Sequence, residues 1–261
     1  MKKVVLTVSV FVLCLSLSSW AQIKTDNQYM PQLDPMLAIA TLTGGDASVA
    51  IDDFGRAGQT SPGCGGIGAG FQVGEPGTSV LCEHTDFFSA GGAVTKISPA
   101  GCTVTSALLA DAPGHATSAV TCGACTFSFD QTVDDGGVWT TVVTIDGCDV
   151  GCYYAYTDFD VHGFANNRGS YHADEGRFVV QNQTAVPEVH YYFGDGSGAA
   201  PDHWAQGEFP TVRTFLEGAT SCQDLPDAPP IYVGDWTSAI QYNGATTVTY
   251  AHGRDDASEI P

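Results

Sequence analysis

Apolar and polar residues alternate in short runs along most of the chain, and the runs end in clusters of Gly, Pro, Asp or Ser. A period of two, broken repeatedly by turn residues, is the mark of half-buried strands. No stretch sustains the 3.6-residue period of a long helix. The pattern predicts strands at 48–52, 67–73, 93–98, 103–109, 117–121, 126–133, 138–145, 151–157, 177–183, 188–193, 237–242 and 246–251. The best-marked hairpin joins 126–133 to 138–145 through Asp134-Asp135-Gly136-Gly137, where Asp-Gly supplies the positive φ angles of a tight turn. Phe127 and Phe129 alternate with Ser128 and Asp130, and Trp139, Val143 and Ile145 share a face. One side of this ribbon is therefore apolar and the other polar, as in a sheet with one solvated face.

A single short helix is predicted at 210–218. Pro210 suits its first turn, Val212, Phe215 and Leu216 share a face, and Gly218 can close it. The fold expected is all-β: a large two-layer antiparallel β-sandwich with one short helix. Residues 22–45 read as an irregular leader broken by Pro31 and Pro35, and 46–261 as one sandwich domain.

The first 21 residues change the compartment. Met1-Lys2-Lys3 is a basic start, Val4 to Leu17 is almost wholly apolar, and Ser19 and Ala21 suit a signal peptidase. This is the three-part plan of a secretory signal peptide, with Gln22 as the new N-terminus. The apolar run is shorter than the ~20 residues of a spanning helix, so no transmembrane segment is expected in the mature chain. Cys14 lies in that run without the small residues of a lipoprotein box.

Cleavage removes Cys14 and leaves eight cysteines: Cys64, Cys82, Cys102, Cys122, Cys125, Cys148, Cys152 and Cys222. An even number in an exported chain reads as a disulfide framework whose pairing the sequence leaves open. The nine Lys and Arg fall to seven against 29 acidic residues, which moves the formal charge from −20 to −22. Nucleic acid is excluded as a partner, since phosphate binding needs a basic surface. Solubility, and cation binding, are the roles this charge leaves open.

Candidate chemistry is sparse. Cys122-Gly-Ala-Cys125 has redox or metal spacing, and Cys148 and Cys152 could complete a zinc site. A strand follows Cys125 where a thioredoxin-like site needs a helix, so disulfides are the expectation. The histidines are His84, His115, His162, His172, His190, His203 and His252. None forms a helical i, i+4 pair, although His162, His172, His190 and His203 are close enough in sequence to be a candidate transition-metal set. Asp158-Phe-Asp160 places two carboxylates on one strand face. Asn166, Asn167 and Asp174 follow in a Gly-containing loop, and hard oxygen donors of this kind suit calcium. The same two carboxylates could serve as acid and base in glycoside hydrolysis.

Serine-nucleophile motifs are absent from the sequence. Gly65-Gly-Ile-Gly-Ala-Gly70 lacks the Lys and helix of a phosphate loop, and Asn182-Gln-Thr184 fits a glycosylation sequon. Tyr153, Tyr154, Tyr156, Tyr191, Tyr192, Trp204 and Trp236 are the aromatic stock from which a sugar platform could be built.

Tyr153-Tyr-Ala-Tyr-Thr-Asp-Phe-Asp-Val161 resembles the Tyr-x-Asp-x-Asp strand of a diffuse group of secreted bacterial β-sandwich proteins. Pro201-Asp-His-Trp204, Phe209-Pro-Thr-Val-Arg213 and Gly234-Asp-Trp-Thr-Ser-Ala-Ile-Gln241 follow in that group's order. The resemblance spans about residues 138–251. It implies export and a β-sandwich, and it supplies no catalytic residues. Many members carry a C-terminal sorting tail, and Ser258-Glu-Ile-Pro261 is similar to the start of an Ile-Pro-Thr-Leu type tail. The eight mature cysteines exceed the group's usual number.

Two functions are thus expected. The first is a secreted or cell-surface, non-enzymatic surface, matrix or binding protein with glycan or calcium as ligand and no other cofactor. The second is an exported carbohydrate-active enzyme that uses Asp158 and Asp160.

Overall fold

The structure is a computed structural model that describes residues 38–61, 63–74, 79–161, 166–182, 190–197 and 200–255. The signal-peptide reading, His162 and Thr184 fall outside those residues.

The strands in chain order are β1 (Ile39–Gly44), β2 (Ala47–Asp52), β3 (Ala57–Gly58), β4 (Phe71–Val73), β5 (Leu81–Ser89), β6 (Thr95–Lys96), β7 (Thr103–Ala112), β8 (His115–Cys122) and β9 (Cys125–Val133). The chain continues through β10 (Trp139–Asp146), β11 (Cys152–Phe159), β12 (Asn167–His172), β13 (Arg177–Asn182), β14 (His190–Asp195) and β15 (His203–Glu208). Helix α1 (Thr211–Gly218), β16 (Ile231–Gly234), β17 (Trp236–Asn243) and β18 (Thr247–Arg254) complete it. These strands form two nine-stranded sheets. One runs β1-β2-β3-β5-β11-β17-β15, with β4 on β2 and β6 on β5. The other runs β16-β12-β13-β14-β18-β10-β9-β8-β7. Every pairing between named strands is antiparallel, and the expected large, two-layer β-sandwich is what forms.

The main core lies between the sheets. Phe127, Phe129, Trp139 and Val143 enter it from one sheet, and Tyr153, Phe159, Trp236 and Ile240 from the other. In the β9–β10 hairpin the predicted apolar face is buried, and the turn closes through Gly137 at φ 79° and an Asp134 N–H bond to Val138 O of 3.0 Å. A second, smaller core covers the outer face of the first sheet. Val212 and Leu216 of α1, with Ala219 and Leu225 of the following loop, pack on Tyr154, Tyr156 and Ala239. The strands β5 and β11 are therefore buried on both faces at every residue.

Two expectations about boundaries change. The sandwich begins at Ile39 rather than after residue 45, because β1 pairs with β2 from Ile39↔Asp52 to Gly44↔Ala47. Only Leu42 of β1 is fully buried, so the strand carries no alternation to read. In α1 the buried residues are Val212, Arg213 and Leu216, while Phe215 faces outward, and Pro210 is the cap rather than the first helical residue.

The eight cysteines from Cys64 to Cys222 are all joined: Cys64–Cys82, Cys102–Cys122, Cys125–Cys148 and Cys152–Cys222. Cys122 and Cys125 face each other at the β8–β9 turn but bond to different partners, which disposes of the redox and zinc readings of that motif. Four disulfides fit an oxidising compartment. Among the described residues no helix is long and apolar enough to cross a membrane.

Candidate functional site: an acidic corner on the first sheet

Alternation along β11 sets the site. Tyr153, Ala155 and Phe159 point into the main core, while Tyr154, Tyr156 and Asp158 point to the outer face beneath α1. Asp158 lies between Glu83 of β5 and Thr237 of β17 in the strand register. Continuing that register by two residues sets Asp160 opposite Asp235, and the Asp160 N–H bonds Val80 O at 2.9 Å. Asp158, Asp160 and Asp235 converge so that one carboxylate oxygen from each lies within 4.8 Å of the others. Asp158 is fully buried, and Asp160 and Asp235 are half-buried.

Charged neighbours complete the corner. Glu83 accepts from Lys96 Nζ at 2.9 Å and from Arg213 at 2.5 Å, and Arg213 Nε reaches Glu217 at 2.8 Å. Burial alone would raise the Glu83 carboxyl, but Lys96 and Arg213 overcome it and hold the group at about 2. The Tyr156 phenol is buried in the same field. Its oxygen has no hydrogen-bond partner among the described residues. Burial, then the Asp158 and Glu83 charges, push it well above the usual tyrosine range.

The other predicted oxygen donors divide. Asn167 joins the corner: its Nδ2 donates to Phe159 O at 3.2 Å and its backbone pairs with Gly234, next to Asp235. Asn166 precedes it and is exposed. Asp174 sits in the β12–β13 turn, at the far end of β12 from Asn167. Asp235 was not foreseen, because it reaches Asp160 only through sheet register. The Cys64 sulfur lies 3.9 Å from Asp160 Oδ2, but it is committed to its disulfide.

Among the described residues the histidines of the candidate set do not gather into a metal site. His84 and His252 are buried between the sheets, where both contact the Thr157 hydroxyl. His203 is clamped by Asp227 at 3.0 Å and Asp224 at 3.4 Å. The Asp227 bond, with the Asp224 charge, raises His203 above its ordinary range against a small opposing effect of burial. His172 bonds Ser170 Oγ at 2.9 Å, and His190 sits on β14. No group of three converging metal donors among the described residues contains a histidine.

A groove of about 710 Å³ lies elsewhere, at the end of the sandwich where the β5–β6, β8–β9 and β10–β11 connections meet. Phe88, Gly91, Gly92, Gly123 and Ala124 line it, with Asp149 as its one carboxylate. Most of the aromatic stock is core: Tyr153, Tyr154, Tyr156, Tyr191 and Trp236 are buried. Trp204 stacks on Tyr171 at 4.1 Å, and Tyr192 lies under the Arg177 guanidinium at 4.8 Å.

No family model matches the chain, and no curated protein matches it. Among solved structures, a bacterial glucoamylase complexed with acarbose is similar in fold, with a TM-score of 0.63 at 9% identity over 84% of this chain. A lysyl oxidase from Pichia pastoris aligns over 84% of the chain at 8% identity, with a TM-score of 0.40. The chain spans 32% of the glucoamylase chain and 51% of the oxidase chain. The shared feature is the β-sandwich architecture, carried here by 9% identical residues and a portion of a larger enzyme there.

Proposed function

We propose that this chain is an exported, non-enzymatic binding protein of the cell surface or extracellular matrix, with the acidic corner as its ligand side. The carrying observation is the spacing of Asp158, Asp160 and Asp235, whose oxygens lie within 4.8 Å of one another. Three carboxylate oxygens gathered at one point form a cluster of hard donors, the kind of group a hard cation takes. Full burial of Asp158 also keeps it from a polymeric substrate. Glu83, held ionised down to about 2, cannot donate a proton near neutrality.

Of the two ligands expected, the corner favours a cation over a glycan, since most aromatics that could stack a sugar are in the core. Export is supported by the four disulfides, and the charge of −20 argues against nucleic acid. A carbohydrate-active enzyme is the second reading, favoured by the fold likeness to the acarbose-bound glucoamylase. Incubation of the mature protein with a panel of polysaccharides, scored by new reducing ends, separates the two. No release above the blank is expected. Release that Asp158→Asn or Asp160→Asn abolishes would overturn the non-enzymatic reading.

A further inference from the structure

Going beyond that binding role, we infer that the outer face of the second sheet, over β7–β10 and β18, is a self-association surface on which a second copy of this chain docks, sheet against sheet. Alternation fixes the face. In β8, β9 and β10 every second residue is buried in the sandwich, and the residues between them point outward. Strand register lines these outward residues up in rows. One row runs Leu109, Thr117, Asp130, Val142 and Thr249. The next runs Ser106, Ala119, Ser128, Thr144 and Thr247. A third passes through Thr121 and Thr126, whose hydroxyls lie 3.1 Å apart.

Charge points to the occupant. The chain carries 29 acidic residues, yet the acids among the outward positions of β8, β9 and β10 are Asp130 and Asp146, and none of those positions is Lys or Arg. Asp130 is itself engaged by His115 Nε2 at 2.9 Å. Withdrawal of charge from the centre is the compositional mark of a protein interface. A basic partner would be held better by the acidic remainder of the surface. A neutral face suits a partner as acidic as this chain, which repulsion would keep away from any other side, and a second copy is that partner.

Shape and area agree. A contact between identical copies must be self-complementary, and a grid of short Thr, Ser and Ala side chains meets that condition. Leu109 stands above it, 62% exposed, the most of any large hydrophobic among the described residues. Stacked sheets keep their strands roughly aligned. A twofold axis across the strands, between the first two rows, then sets Leu109 over the partner's Ser106 and Val142 over the partner's Thr144. It also sets Asp130 over the partner's Ser128, so each carboxylate meets a hydroxyl and not its own counterpart. Five strands ~4.8 Å apart and eight residues of ~3.4 Å give a footprint on the order of 650 Å². Twice that clears the ~1,000 Å² of a specific interface. The acidic corner lies on the other sheet, so both copies keep it open and the pair offers two ligand sides.

The test is sedimentation equilibrium of the full mature chain, from micromolar to millimolar protein, in physiological and in molar sodium chloride. The mass should rise from monomer to dimer and stop there. Salt should tighten the association, because it screens the repulsion between two acidic copies. Hydroxyl-radical footprinting needs no variant: Leu109 and Val142 should be labelled less at the higher protein concentration, and Phe215 and Val233, exposed elsewhere, equally at both. Thr144→Glu, at an exposed position, should weaken the dimer by about tenfold or more, since it buries an unpaired carboxylate in the contact. Phe215→Ser, on α1, should keep the wild-type affinity. A monomer at millimolar concentration in both salts overturns the proposal. So does wild-type affinity in Thr144→Glu, or a mass that climbs past the dimer. Those outcomes leave the binding role in place, and glycan hydrolysis, which would sink that role, leaves the dimer standing.

Discussion

His84 and His252 share one hydroxyl. Thr157 Oγ1 lies 3.0 Å from His84 Nδ1 and 3.0 Å from His252 Nε2. A hydroxyl has a single hydrogen, so it donates to one ring and accepts from the other. His84 Nε2 faces Asp86 Oδ1 at 3.5 Å, and Asp86 Oδ2 accepts from Tyr250 at 2.7 Å. With the His84 proton on Nε2, toward Asp86, Thr157 donates to His84 Nδ1 and accepts from His252 Nε2–H. His252 Nδ1 then bears no proton and lies between two ring faces, stacked on Trp139 at 4.4 Å and Phe193 at 4.8 Å. Burial, reinforced by His84, holds His252 well below its ordinary range. The folded state therefore binds fewer protons than the unfolded chain below about pH 6.5. Stability is full above that value and is lost as pH falls, by up to about 1.4 kcal/mol per pH unit for one such group. Urea melts from pH 7 to 5 should show this slope, and His252→Phe, which keeps the stack, should flatten it. Equal slopes in the two proteins would remove His252 as the cause.

Elements depend on close approaches that a residue pattern does not reveal. Gly169 sits inside β12, where Trp236 of the facing sheet passes. A Cβ there would meet the indole Nε1 at 2.0 Å, and that nitrogen donates to Gln206 Oε1 at 2.7 Å. Gly169→Ala should cost about 1–3 kcal/mol as overpacking, or more if the buried bond breaks. Gly207→Ala is the control, because its Cβ would meet only Val212 Cγ2 at 3.8 Å. Urea midpoints and tryptophan emission of the two variants check this; equal midpoints would show that Trp236 yields freely. Legibility followed the same line. β9 and β10 were readable because one face of each is solvated and polar. β5 was invisible, since Glu83, His84, Thr85 and Asp86 are all buried, with ionic partners on one face and the histidine network on the other. β12, β15 and β16 also passed unseen, being short and without clean alternation. At the corner, Asp158 and Asp160 were legible from period-two spacing. Asp235 was not, because strand register and not chain proximity brings it there, and Asp174 was misleading for the converse reason.

At the scale of the whole molecule, charge is the dominant field. The chain carries 29 acids and only nine Lys and Arg, and Arg56, Lys96 and Arg213 are spent on buried or nearly buried pairs. Surface attraction that salt could weaken is therefore scarce, while repulsion among exposed carboxylates is abundant. Such self-repulsion destabilises a compact state. Its range is about 30 Å at 0.01 M ionic strength and about 3 Å at 1 M, so salt should relieve it. The Glu83 cluster, shielded from solvent, changes little over that range. Melting in sodium chloride from 0.01 to 1 M, with chelator present throughout so that divalent ions play no part, should give a rising midpoint. Each kcal/mol relieved corresponds to roughly 2–4 °C for a chain of this size. A flat or falling midpoint would mean that the exposed ion pairs, such as Arg177 with Glu175 and His203 with Asp227, outweigh the repulsion. A rise obtained with sodium alone would also set the baseline above which any calcium effect at the corner has to stand.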